Sequence, residues 1–137
     1  MPFGFDWGRT VSTLAYVRVS AAHPGEKDQR QDIALAYRIE HWFKDEDLNG
    51  STCILELPGF IELCKLARKG DTVIVSSLEC VGCSGPELFG AFHALRKRGV
   101  GLKSVRGEFD LSSSVGRDLF NTMALLARLK DRVMGSK

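Results

Sequence analysis

Hydrophobic and polar positions along this chain alternate between a strand-like and a helix-like period. Thr13 to Val19 (TLAYVRV) is apolar and β-branched, interrupted only by Arg18, and predicts a first strand. Pro24-Gly25 marks a turn, and from Asp28 to about Ile39 the residues Ile33, Ala34 and Tyr37 recur at helical spacing. His41-Trp42-Phe43 reads as a short strand ending in the acidic stretch Asp45-Glu46-Asp47, with Leu48 to Leu57 as a loop that turns at Asn49-Gly50. Pro58 suits the first turn of a helix through Arg68, whose apolar face is Phe60, Leu63, Cys64 and Ala67. Thr72 to Leu78 (TVIVSSL) is the clearest strand. A helix starting near Pro86, burying Leu88, Phe92 and Leu95, stops at Gly99, and Val100 to Val105 is a further strand. Ser112, Ser113 and Ser114 then offer N-caps for a long last helix, lined by Leu119, Met123, Leu126, Leu129 and Val133.

Alternating strands and helices predict a three-layer α/β domain with a mostly parallel central sheet and a long C-terminal helix. Residues 13–137 are read as one domain and residues 1–12 as a flexible extension. The stripe of the last helix allows burial within its own domain or against a partner chain, which makes a homo-oligomer the expected assembly.

Composition narrows the classes. The 137 residues suffice for one domain with a core, and 44% hydrophobic with 26% charged residues exclude disordered and fibrous chains. No apolar run reaches bilayer length, so no membrane partner is expected. Phe3, Phe5 and Trp7 near the start are interrupted by Asp6 and Arg9, which argues against a signal peptide and for the cytoplasm. Cysteines at 53, 64, 80 and 83 are too scattered for a disulfide framework and are read as free thiols. Residues 1–89 hold 9 Lys/Arg against 13 Asp/Glu, whereas residues 90–137 hold 10 against 4. A basic C-terminal third suits a polyanion or a solvated helix face.

The candidate chemistry begins at Tyr16-Val17-Arg18-Val19-Ser20, at the end of the first strand. This segment resembles the Y-x-R-V-S signature of the serine site-specific DNA recombinases, the resolvase/invertase family. Further landmarks follow in family order: Gln31 on a helix, Phe43-Lys44-Asp45 with Asn49-Gly50-Ser51, Pro58-Gly59-Phe60, Gly70-Asp71 before a strand, and Leu78-Glu79-Cys80-Val81-Gly82-Cys83 where the family has L-D-R-L-G-R. Arg98-Gly99-Val100 and Val115-Gly116-Arg117 complete the series. Landmarks in order are much harder to match by chance than a single motif.

The resemblance implies a resolvase-like domain in which a serine hydroxyl attacks a DNA phosphodiester, leaving a 5′-phosphoserine link and a free 3′-hydroxyl. Bond energy is stored in that covalent link, so no cofactor or metal is implied. Carried over by position, Ser20 is the nucleophile and Arg18 the phosphate-binding cation. Tyr16, Gln31, Asp45 (or Asp47, since this loop is one residue longer) and Glu79 support the pocket. The stretch from Ser20 to Gln31 is two residues longer than the family's.

The chain also departs from the family. Leu57 stands where an arginine precedes the Pro-Gly, Cys80 and Cys83 replace the two arginines of the D-R-x-G-R motif, and Glu79 replaces its aspartate. Lys130-Asp131 inverts a glutamate-arginine pair of the last helix. These losses fall on the cations that stabilise the transition state, so catalysis is expected to be impaired and DNA contact weak or lost. No DNA-recognition domain is read in these 137 residues. The alternative is a non-catalytic dimerisation or interaction module. A C-x-x-C redox site lacks the later proline it needs, since no proline follows Pro86. A zinc site lacks a second ligand pair, because the histidines at 23, 41 and 93 have no metal spacing.

Overall fold

A computed structural model describes residues 11–20, 25–47, 52–82, 85–106, 110–111 and 113–134; residue 127 and residues 130–134 are described for backbone only. Residues 1–10, the Asn49-Gly50-Ser51 turn, Cys83, and the side chains of Lys130, Asp131 and Val133 therefore lie outside the described residues.

Among the described residues four strands and four α-helices alternate: β1 (Thr13–Val19), α1 (Glu26–Ala36), β2 (His41–Glu46), α2 (Pro58–Leu66), β3 (Thr72–Val75), α3 (Gly85–Lys97), β4 (Gly101–Ser104) and α4 (Ser114–Met134). The sheet has the order β2-β1-β3-β4, and every pairing is parallel. β1 is a central strand buried on both faces, which is why it reads as a nearly unbroken apolar run. On one face Ala15, Val17 and Ile74 meet Ile33 of α1. On the other, Leu14, Tyr16, Val73, Val75 and Leu102 meet Phe60 and Leu63 of α2 and Phe92 and Leu95 of α3. The α/β class with its parallel sheet and long last helix is the one expected.

Several boundaries differ from expectation. α1 begins at Glu26 and ends at Ala36, with Tyr37 already extended. It buries Ile33 but leaves Ala34 exposed. β2 runs on through Asp45 and Glu46, because β1 continues to Val19 beside it and offers main-chain partners as far as Val19↔Glu46. β3 stops at Val75: Ser76 and Ser77 leave the sheet and lead into a short 3-10 turn, Leu78–Cys80. Gly99, with φ +75°, ends α3 in the left-handed region that side chains avoid.

α4 is capped as expected: Ser113 Oγ accepts the Gly116 N–H at 2.9 Å. Its contact with the domain differs from the expected stripe. Phe120 is buried, stacked on Phe89 of α3 at 5.4 Å, with the Arg96 guanidinium 4.7 Å over its ring. Met123 packs beside it, whereas Leu119, Leu126 and Leu129 are exposed.

Candidate active site

The carboxyl ends of the parallel strands bring together the first strand's polar residues, as the open α/β architecture favours. Alternation along β1 sends Tyr16 and Arg18 to the side of Leu14, and Ser20, buried, follows the last residue of the strand.

Tyr16 and Asp45 form the inner layer. The phenol donates to Asp45 Oδ2 at 2.7 Å, and the same carboxylate accepts the N–H groups of Gly59 (2.6 Å) and Phe60 (2.8 Å) in the first turn of α2. Those amides have no intrahelical partner, so Asp45 caps α2 from a neighbouring strand. Burial, and then the adjoining Asp45, push the phenol's pKa well above the ordinary range. Tyr16 is thus a fixed donor, and three of the roughly four acceptor sites of the Asp45 carboxylate are taken up by the fold. Together they pin β1, β2 and α2.

Arg18 is the centre of the site and is 2% exposed. Nη1 donates to the Val81 carbonyl (3.4 Å) and to Glu87 Oε2 (3.1 Å); Nη2 donates to Asp47 Oδ2 (3.4 Å) and to the Thr52 carbonyl (2.7 Å). Nε, also buried, has no partner among the described residues. Burial works against the guanidinium's charge, but Glu87 and Asp47 outweigh it and raise the pKa above its usual value. Asp47 in turn accepts the Thr52 N–H at 3.0 Å. Of the two aspartates weighed from the sequence, Asp47 meets Arg18 and Asp45 meets Tyr16.

Gln31 is not brought to the site: it is exposed on α1. Gln29, two residues earlier, is fully buried. Its Nε2 donates to the Arg18 carbonyl (2.8 Å), and its Oε1 accepts the Arg18 N–H (3.1 Å) and the Cys80 thiol (3.3 Å). β1 and β3 pair only as far as Ala15↔Ile74. Beyond that point the Gln29 amide makes the two-way pairing with β1 that a strand would make, satisfying buried main-chain groups. Taking Gln29 as the family's glutamine also removes the surplus of two residues after Ser20. A signal for it was present, since Gln29 lies one helical turn before the buried Ile33, whereas Gln31 falls on the opposite face.

The remaining positions explain what the substitutions did. Leu57, 6% exposed, has joined the main core. Cys80 is fully buried against Gln29, and burial pushes its thiol pKa up, opposite to a redox-active cysteine. Glu79 is exposed on the 3-10 turn. Sequence reading missed Glu87, which the structure places on Arg18.

A parallel α/β domain carrying a serine and an arginine at the carboxyl end of its first strand, with a long helix after its last, defines the catalytic-domain class of the serine recombinases. The chain belongs to the resolvase family: the model for the resolvase N-terminal domain matches residues 13–137. It is 33% identical to the serine recombinase gin of Escherichia phage Mu over 117 residues, 85% of this chain and 58% of that protein. It is 31% identical to the DNA-invertase hin of Salmonella typhimurium over 120 residues, 88% of this chain and 61% of that protein. The chain thus spans about three-fifths of these relatives. In fold it is similar to the N-terminal catalytic domain of TP901-1 integrase (TM-score 0.66, 18% identity, covering 88% of this chain and 98% of that one). A resolvase family site-specific recombinase from Streptococcus pneumoniae is also similar (TM-score 0.60, 16% identity, covering 93% and 94%). Among the described residues no helix is long and apolar enough to cross a membrane.

Proposed function

We propose that this is a serine-recombinase domain in which the phosphoserine chemistry has been lost while the fold that carried it is kept. The observation that supports this most is the state of Arg18, whose two η nitrogens are taken up by Asp47, Glu87 and two carbonyls. In the reaction, Ser20 Oγ would lose its proton, bond to phosphorus and release the 3′-oxygen, with negative charge gathering on the phosphate oxygens. Stabilising that charge needs preorganised cations, and removing one such donor typically costs about 10²–10³ in rate. At the other cationic positions this chain has Leu57, Cys80 and Cys83. A neutral thiol cannot reproduce the two-pronged grip of a guanidinium.

The test is incubation of the protein with nicked and duplex DNA followed by a denaturing gel. No covalent protein–DNA band is expected; a band that disappears in Ser20→Ala would show a working nucleophile and sink this reading. Exposed Arg96, Lys97, Arg98 and Arg117 support at most weak, salt-sensitive contact with DNA phosphates in a cytoplasmic setting.

The exposed leucines of α4 favour a retained role in assembly. Leu119, Leu126 and Leu129 recur at helical spacing beyond the face that Phe120 and Met123 turn to the domain. A two-fold homodimer through this face is the expected form. Light scattering across a concentration series should report a dimer that Leu126→Glu disrupts. A monomer at every concentration would exclude it.

A further inference from the structure

Glu87 is an ionisable group of the cluster that the family signature does not include and the nucleophilic chemistry does not require. It lies in the first turn of α3 and spans three elements: its Oε2 accepts the Arg18 Nη1 at 3.1 Å and the Ile54 N–H at 2.8 Å. Its side chain is folded over Gly82. A Cβ built there would come within 2.9 Å of Glu87 Cγ and 3.0 Å of Oε1. Gly82 sits between Cys80 and Cys83, the two positions where the family motif carries arginines. A carboxylate therefore lies against Gly82, within the stretch where the family motif carries its arginines, and it holds the Arg18 cation.

We infer that Glu87 is a built-in anion standing where a phosphodiester would engage Arg18, so that its carboxylate, beyond the lost arginines, keeps phosphate out of the site. This rests on the reading of Arg18 as the phosphate-binding residue. A phosphate oxygen pair needs two adjacent guanidinium donors at once. Four of the five Arg18 donors are committed and the fifth, Nε, is buried, so phosphate enters only by displacing partners already present, two of them carboxylates. With Asp47 and Glu87 both facing one guanidinium, the cluster carries an excess of negative charge that repels any second anion.

Glu87 is the displaceable partner. Its side chain is 14% exposed against 7% for Asp47, and it is longer by one methylene. Each carboxylate also accepts one main-chain N–H, Thr52 for Asp47 and Ile54 for Glu87, so the difference lies in exposure and length. Turned outward, Glu87 would still sit in the first turn of α3, where the helix dipole favours a carboxylate.

The experiment titrates inorganic phosphate into the full chain and follows the Arg18 side-chain N–H resonances by NMR. Glu87→Gln keeps the size of the side chain and an acceptor for the Ile54 N–H while removing the charge. It should bind phosphate about ten- to a hundredfold more tightly than the unmodified protein. Adding Arg18→Lys should abolish the gain, because an ammonium lacks the fork. Glu87→Asp, which withdraws the carboxylate by one methylene, should give a smaller gain and carries the same test where the amide variant does not fold. An affinity unchanged in variants with an intact circular dichroism spectrum overturns the proposal. So does a gain that survives Arg18→Lys. The covalent-band assay on the unmodified protein is separate: a Ser20-dependent band there removes the inactive reading and leaves this comparison intact. Unchanged phosphate affinity removes the role of Glu87 and leaves inactivity resting on the lost arginines.

Discussion

Replacing Arg18 with methionine should destabilise the domain by about 3–5 kcal/mol, the range found when one partner of a buried ion pair is removed. Methionine matches the length of the arginine stem, so the lost volume is small and the cost lies in the charges. Asp47 and Glu87, with side chains 7% and 14% exposed, would face each other without a cation. The Thr52 and Val81 carbonyls would lose a donor as well. For a domain of this size the melting temperature should fall by about 10–20 °C. A triple variant, Arg18→Met with Asp47→Asn and Glu87→Gln, should regain most of that loss, because an uncharged cluster leaves no carboxylate stranded. Thermal unfolding by circular dichroism reads both. An Arg18→Met protein as stable as the parent would mean that this arginine is held for a ligand and not for the fold.

Gln29→Ala is the second large effect expected, about 2–5 kcal/mol by urea unfolding. It strands the N–H and C=O of Arg18, both buried, and each unsatisfied group costs about 1–3 kcal/mol. Gln29→Glu should also fail, since a carboxylate keeps the acceptor but presents an oxygen to the Arg18 carbonyl where a donor is required. Gln31→Ala, on the exposed face of the same helix, should stay within about 0.5 kcal/mol. Equal effects at the two positions would show that the site has been assigned to the wrong helical phase.

The contrast between those two glutamines marks how far sequence reading reached. Motif order located the helix that supplies a glutamine, and spacing from Ser20 even registered a surplus of two residues. Periodicity puts Gln29 on the face of Ile33, yet a polar residue on an amphipathic helix is assigned by default to solvent, so that signal is easily passed over. Burial of Gln29 becomes intelligible only once β3 is known to leave β1 after Ala15↔Ile74, exposing main-chain groups that need a partner. Asp45 and Asp47 pose the same difficulty. Both fall in one acidic run, and only the sheet register and the position of α2 separate the residue that caps a helix from the one that meets the arginine.

What the sequence by itself determined was the architecture: alternating periods, the strand of TLAYVRV, the Pro58 and Ser113 helix starts and the Gly99 stop are local signals, each carried by backbone preference and burial within a few residues. It also determined the ancestry, through landmarks in order, and placed Leu57, Cys80 and Cys83 where the resemblance implies arginines. The tertiary structure alone decided what became of the arginine that was left. Arg18 draws its partners from 29 to 69 residues away along the chain. No local pattern encodes Glu87 as its counter-ion, because that pairing exists only where the start of α3 meets the end of β1. A charge buried in a domain interior must be matched by whatever the fold brings beside it.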